Sequence, residues 1–289
     1  MSSVTMLPPP TSLHPREESP RTGREASAGP GSRPPAPGSS AEWCSWFRAN
    51  EASLLDVPWT LGAGIAADER DAIASSIQEF QLGESSEGRH LIDCARVHAE
   101  RIGDPEYVAA IRHLIREEQR HARDLGRFMD LAGIPRVGRT WTDAVFRWLR
   151  RGAGLELSVG VLVTAEIIAK IYYRALRETT GSTVLRRVCD QILRDEVEHV
   201  RFQTERLAIL RRGRPSSRLR LTAALHRFLF WGTVEVVAWR HRRALRAGGY
   251  SLKRFRREAW FEFQTDLGRM DPRTWDFQAM TLDPRWGLT

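Results

Sequence analysis

Cysteine is scarce in this 289-residue chain, and the three present, Cys44, Cys94 and Cys189, form no Cys-x-x-Cys pair. That excludes a four-thiolate metal module and offers no disulfide framework, and unpatterned thiols fit a reducing compartment. No run of eighteen apolar residues occurs and no apolar stretch follows the first Met, so the expectation is a cytoplasmic protein with neither secretion signal nor membrane span. Strand-like alternation is missing as well. Residues 1–42 are rich in Pro, Ser and Gly and poor in apolar side chains, too poor to offset the entropy of ordering, which predicts a disordered tail.

What the chain does contain is helical periodicity interrupted twice by the same tetrad. Glu118-Gln-Arg-His121 and Glu196-Val-Glu-His199 each place a carboxylate and an imidazole one turn apart on one helix face. One such tetrad in a charged helix is ordinarily a solvated pair. Here the first shares its face with Tyr107, Ile111, Leu114, Leu125 and Phe128. The second is in line with Leu185, Cys189, Ile192, Gln203, Leu207 and Leu210. Both therefore intrude on a core stripe, where an unpaired carboxylate costs several kcal/mol, on the order of 3 or more. A metal ion supplies the counter-charge. Glu117, Asp195 and Glu198 fall off the stripe and read as surface acids, although Asp190 or Asp195 is also a candidate acceptor for an imidazole N–H.

Further inward carboxylates are available. Glu166 lies mid-segment in Leu155–Tyr173, a stretch apolar nearly all round. Upstream, Ile73, Ile77, Phe80, Leu91, His98 and Ile102 mark an inner face on which both Glu84 and Glu87 fall. The 31-residue step from Glu87 to Glu118 mirrors the 30-residue step from Glu166 to Glu196 and favours Glu87. Gly83 just before Glu84 favours Glu84, and both stay open. His98, Tyr172 and Tyr173 read as packing residues, the tyrosines with electron transfer as their functional alternative.

In this order, Glu84 or Glu87, Glu118-x-x-His121, Glu166, Glu196-x-x-His199, the chain resembles the ferritin-like di-iron carboxylate superfamily, which includes bacterioferritin, rubrerythrin, the demethoxyubiquinone hydroxylases and the tRNA-modifying hydroxylase. Arg194-Asp-Glu-Val-Glu-His199 looks like the last ligand helix of the quinone-ring hydroxylases. The resemblance spans roughly residues 66–212 and lacks the four-cysteine iron module of rubrerythrins. It implies an all-α, four-helix bundle holding two irons, with manganese–iron pairing left open. The implied function is O2 activation by an oxidase or oxygenase acting on a small-molecule substrate. A ferroxidase or iron-binding protein and a membrane-peripheral quinol or lipid oxidase are the alternatives.

The connections agree with such a bundle. Gly103-Asp-Pro105 and Thr180-Gly-Ser182 are short turns. The long interval from Ala132-Gly-Ile-Pro135 reads as a crossover between the second and third bundle helices, with a small amphipathic helix around Trp141–Leu149. Residues 213–289 read as a basic helical extension packed on the bundle through Phe228, Trp231 and Trp239, with Glu235 paired to an arginine. Between Arg201 and Arg257 sixteen Arg or Lys face only Glu205 and Glu235, a net of +14 in a chain of net +8. Such a surface also suits an anionic membrane or nucleic acid phosphates, and a homodimer is a further arrangement the sequence leaves open.

Overall fold

The computed structural model describes residues 37–86, 88–140 and 154–277. Among these every regular element is helical. Helix α1 spans Ser40–Glu51, α2 Ala67–Glu84, α3 Arg89–Ile102 and α4 Glu106–Leu131. They are followed by α5 at Leu155–Thr179 and α6 at Thr183–Leu210, then α7 at Ser216–Arg240, the short α8 at Arg242–Ala247, and α9 at Leu252–Arg269. Glu87 and the stretch Trp141–Leu149 lie outside the described residues, so the Glu87 ligand and the small crossover helix remain sequence expectations.

The short turns form where the sequence places them. Gly103 takes a left-handed φ of 71° and caps α3, and the Asp104 carboxylate accepts from the Tyr107 N–H at 3.2 Å to start α4. Ser182 caps α6 by accepting from the Leu185 N–H. This three-residue turn folds α6 back on α5, and the two share the most extensive helix contact among the described residues. Helix α5 is buried on most sides, as its composition requires: Val163, Ile167 and Ile171 are fully enclosed.

Two boundaries differ from expectation. The inner face running from Ile73 to Ile102 belongs to two helices, not one, because the chain breaks between Glu84 and Arg89. Gly88 there has φ +60°, and a Cβ on it would lie 2.4 Å from Ile115 Cδ1, so a close approach to α4 sets the break. Both α2 and α3 pack on α4. At the N-terminal side, α1 begins inside the stretch expected to be disordered. Ser39 and Glu42 form a reciprocal capping box, and the Gly38 N–H and Trp43 Nε1–H both donate to Glu205 at 2.9 Å.

The basic end contacts the rest of the protein through a different face from the one anticipated. Phe230, Val234 and Ala238 are among the buried residues of α7, and Phe230 stacks on Phe263 of α9 at 4.1 Å between centroids. Phe228, Trp231 and Trp239, expected to cover the bundle, are instead 74%, 57% and 61% exposed. The run is apolar all round, so periodicity alone could not choose its inward side. Glu235 does pair with an arginine, Arg256, at 2.7 Å. Phe230→Ala should therefore cost about 3–5 kcal/mol in chemical denaturation, whereas Phe228→Ser should change stability by less than about 0.5 kcal/mol. Equal effects would reverse this assignment of faces.

Candidate metal centre

Four helices bring the predicted side chains to one point. Glu84 comes from the last turn of α2, Glu118 and His121 from α4, Glu166 from α5, and Glu196 and His199 from α6. Ligand-capable atoms of Glu84, Glu118, His121 and Glu196 lie within 4.8 Å of one another, and so do those of Glu118, Glu166, Glu196 and His199. The two groups share Glu118 and Glu196. His121 Nδ1 is 3.7 Å from Glu196, 3.9 Å from Glu84 and 4.0 Å from Glu118. His199 Nδ1 is 2.9 Å from Glu118 and 4.0 Å from Glu196. These buried Glu and His groups could hold a metal ion.

The unpartnered atoms give the arrangement its direction. His121 Nδ1, His199 Nδ1, one oxygen each of Glu118 and Glu166, and both oxygens of Glu196 are buried without a hydrogen-bond partner. Even the close His199–Glu118 pair lacks hydrogen-bond alignment. Leaving these six atoms orphaned costs about 1–3 kcal/mol apiece in a dry interior, and the six are gathered in the two ligand groups. A cation between them satisfies the set at once. The donors are carboxylate oxygens and imidazole nitrogens with no thiolate, a set suited to iron or manganese among redox metals.

Behind each imidazole stands an acid that the sequence pattern had assigned to the surface. His121 Nε2 is 3.0 Å from Asp195, and His199 Nε2 is 2.7 Å from Glu117. Asp195 is fully buried and Glu117 nearly so, which corrects their reading as solvated residues; Glu198 is half-buried and pairs with Arg201. Asp190 bonds Arg177, leaving Asp195 as the imidazole acceptor. The relation is crosswise: the acid preceding each tetrad serves the histidine of the other. A doubled acid, Glu117-Glu118 and Asp195-Glu196, was the available signal. Asn50 of α1 had none. Its amide donates to Glu117 at 2.7 Å and to Asp195 at 2.8 Å, joining both acids, while Gln191 and Arg120 also bond Asp195. His98 is half-buried, edge-on to Tyr107, as a packing residue would be. Tyr173 does more than pack, because its hydroxyl donates to Glu84 at 2.6 Å.

Without a metal the carboxylates repel one another. Burial, then the Glu118 charge, raises Glu166 to about 8 and pushes Glu84 and Glu196 well above the usual carboxylate range. Burial opposes ionisation of Glu118 too, but the two histidines outweigh it and hold Glu118 at about 2. Burial would lower His199, yet Glu117 and Glu118 raise it well above the ordinary imidazole value.

A cavity of about 150 Å³ adjoins the cluster between α2, α5 and α7. Glu84, Glu118, Glu166 and Glu196 form part of its wall, which explains why the Glu118 side chain keeps 14% exposure. Comparison of the chain with known protein families, curated proteins and solved structures finds no match.

Two outcomes follow from this geometry. Asp195→Asn and Glu117→Gln should each weaken metal affinity about 10–100-fold, measured by competition with a chromogenic chelator; undiminished affinity in both would deny these acids an orienting role. The second outcome is a pH dependence. Glu84, Glu166, Glu196 and His199 bind more protons folded than unfolded, so the stability their protonated forms contribute is lost as pH rises. His226 and His241, lowered to about 4 chiefly by burial, act oppositely only below the ordinary imidazole value of 6.5. The melting temperature of chelator-treated protein should therefore fall from pH 6.5 towards 8, and excess divalent metal, which needs ionised carboxylates, should reverse that slope.

Proposed function

We propose that this chain is a ferritin-like di-iron carboxylate protein that activates O2, an oxidase or oxygenase acting on a small substrate. The observation that carries the reading is the pair of four-ligand groups sharing Glu118 and Glu196. Four carboxylates neutralise two divalent ions, and Glu84 with His121 would complete one position while Glu166 with His199 completes the other. The irons, when bound, supply redox chemistry that no side chain in the site can perform.

The chain's own part is positioning. Asp195 and Glu117 take the outer N–H of each imidazole, which turns the Nδ1 lone pairs inward. Tyr173 holds Glu84 and Gln203 holds Glu166, each through a hydrogen bond. The cavity favours turnover of a substrate over iron storage, since a largely apolar space of that size beside the carboxylates has no use in mineral formation. Ferrous titration of the anaerobic protein should saturate at about two ions per chain. Glu118→Ala, Glu196→Ala and Glu84→Ala should each lose metal, and a wild-type stoichiometry near zero or one would overturn the reading.

A membrane-peripheral setting has one specific observation in its favour. Leu221, Leu225, Phe228, Trp231 and Trp239 form an outward stripe on α7, each more than half exposed, that extends about 27 Å at helical rise. Residues 216–247 add seven arginines against the single acid Glu235. Anionic lipid complements both features, whereas a second copy would oppose arginine with arginine. No helix among the described residues is long and apolar enough to cross a membrane. Cosedimentation with phosphatidylglycerol vesicles but not with phosphatidylcholine, lost in a Phe228→Ser, Trp231→Ser variant, is the expected result; equal binding to both vesicles, or to neither, counts against it.

A further inference from the structure

The cavity beside the cluster is specific about what it can accept. Its wall away from the carboxylates is built by Phe80 of α2, Val161, Leu162 and Ile168 of α5, and Val236 and Val237 of α7. Gly83 leaves its side open, because a Cβ there would meet nothing within 4 Å.

Three polar residues also line the wall, and each is already engaged within the protein. The Thr233 hydroxyl donates to the Leu229 carbonyl at 2.9 Å. Glu79 is ion-paired with Arg240. His241 Nδ1 is 2.8 Å from the Ser76 hydroxyl, its Nε2 is 3.9 Å from Glu79, and its ring stands edge-on to Phe80 and Tyr172. Away from the four carboxylates this wall returns none of the hydrogen bonds a charged ligand has in water. The carboxylates themselves repel an anion, and once they hold a metal they are no longer free to pair with a cation, so desolvation excludes charged ligands from the loaded protein.

Size narrows the class further. A cavity of about 150 Å³ with an apolar lining is the size that takes up one benzene molecule, and this one measures about 150 Å³. The geometry points to a binding site for a small uncharged molecule of about one six-membered ring, seated between α2, α5 and α7 with one edge towards Glu84, Glu118, Glu166 and Glu196. This names the substrate class of the metal centre and rests on the oxidase or oxygenase reading for its function, although binding itself needs no metal. Ala169 and Val236 face this space from two helices without belonging to the ligand set, so filling it from either side blocks the ring and leaves the metal ligands in place.

The test uses the full chain, metal-free and metal-loaded, with phenol and toluene as neutral probes and benzoate and benzylamine as charged ones, binding being followed calorimetrically. Neutral rings should bind saturably to both forms, benzoate at least tenfold more weakly to both, and benzylamine at least tenfold more weakly to the metal-loaded form. Val236→Trp and, as a gentler filling, Ala169→Leu should weaken phenol binding about tenfold or more while metal stoichiometry and the circular dichroism melt stay as in the parent; should Val236→Trp fail to fold, Ala169→Leu decides. Unchanged phenol binding in a folded filled variant, or equal binding of benzoate and phenol, overturns the proposal. Metal binding without ring binding also overturns it and leaves the metal reading intact. Ring binding by a chain that holds no metal supports the site and removes the redox reading instead.

Discussion

Six ionisable side chains converge in the interior of a helical protein, and the repulsion among them constrains everything around. Glu118, Glu166, Glu196 and Glu84 cannot all ionise in a low-dielectric space without cations between them. The flanking architecture supplies what partial compensation protein groups can: hydroxyl and amide donors on Glu84 and Glu166, and acids behind both imidazoles. These partners occupy outer atoms and leave the inner ones bare. A cation bound among these groups would relieve their repulsion, and the stability of the core would then depend partly on that ligand.

The all-helical class and the ligand cluster could be read in advance for a simple reason. Helical periodicity is a local property, and a charge set into an apolar stripe is visible without knowing what lies across from it. The stripes of α4 and α6 therefore placed Glu118, His121, Glu196 and His199 inward. Glu117 escaped, and Asp195 was named only as one of two candidate imidazole acceptors, because both sit one residue, about 100°, away from the stripe. That arc is normally wet, but here α1 packs over α4 and widens the buried sector. Asn50 was out of reach for another reason: its partners are 67 and 145 residues away, and only the tertiary fold creates that relation.

The same distinction accounts for the α2–α3 break and for α7. A break set by a close approach of Gly88 to Ile115 is a fact about packing, and the helical phase of the face from Ile73 to Ile102 carries across it in the sequence. In α7 the sequence pointed to packing through Phe228, Trp231 and Trp239, yet it is the side carrying Phe230 that meets a partner. Its opposite face, with Phe228 and Trp239, keeps an apolar surface exposed among the described residues. Sequence pattern thus indicates how much of a helix is apolar more securely than it indicates which neighbour takes it.

Asn50 has one more effect. Because a single amide bonds both Glu117 and Asp195, the orientation of the two imidazoles is tied to the position of one residue on α1, a helix that contributes no ligand of its own. Were the cluster to hold a metal, its occupancy and the docking of α1 would be linked through that amide. Whatever tightened the centre would then slow local opening of Ser40–Glu51, and whatever pried that helix away would loosen the hold on both histidines together. The N-terminal helix would thereby be a gauge of the centre's state, readable from outside by amide exchange or limited proteolysis.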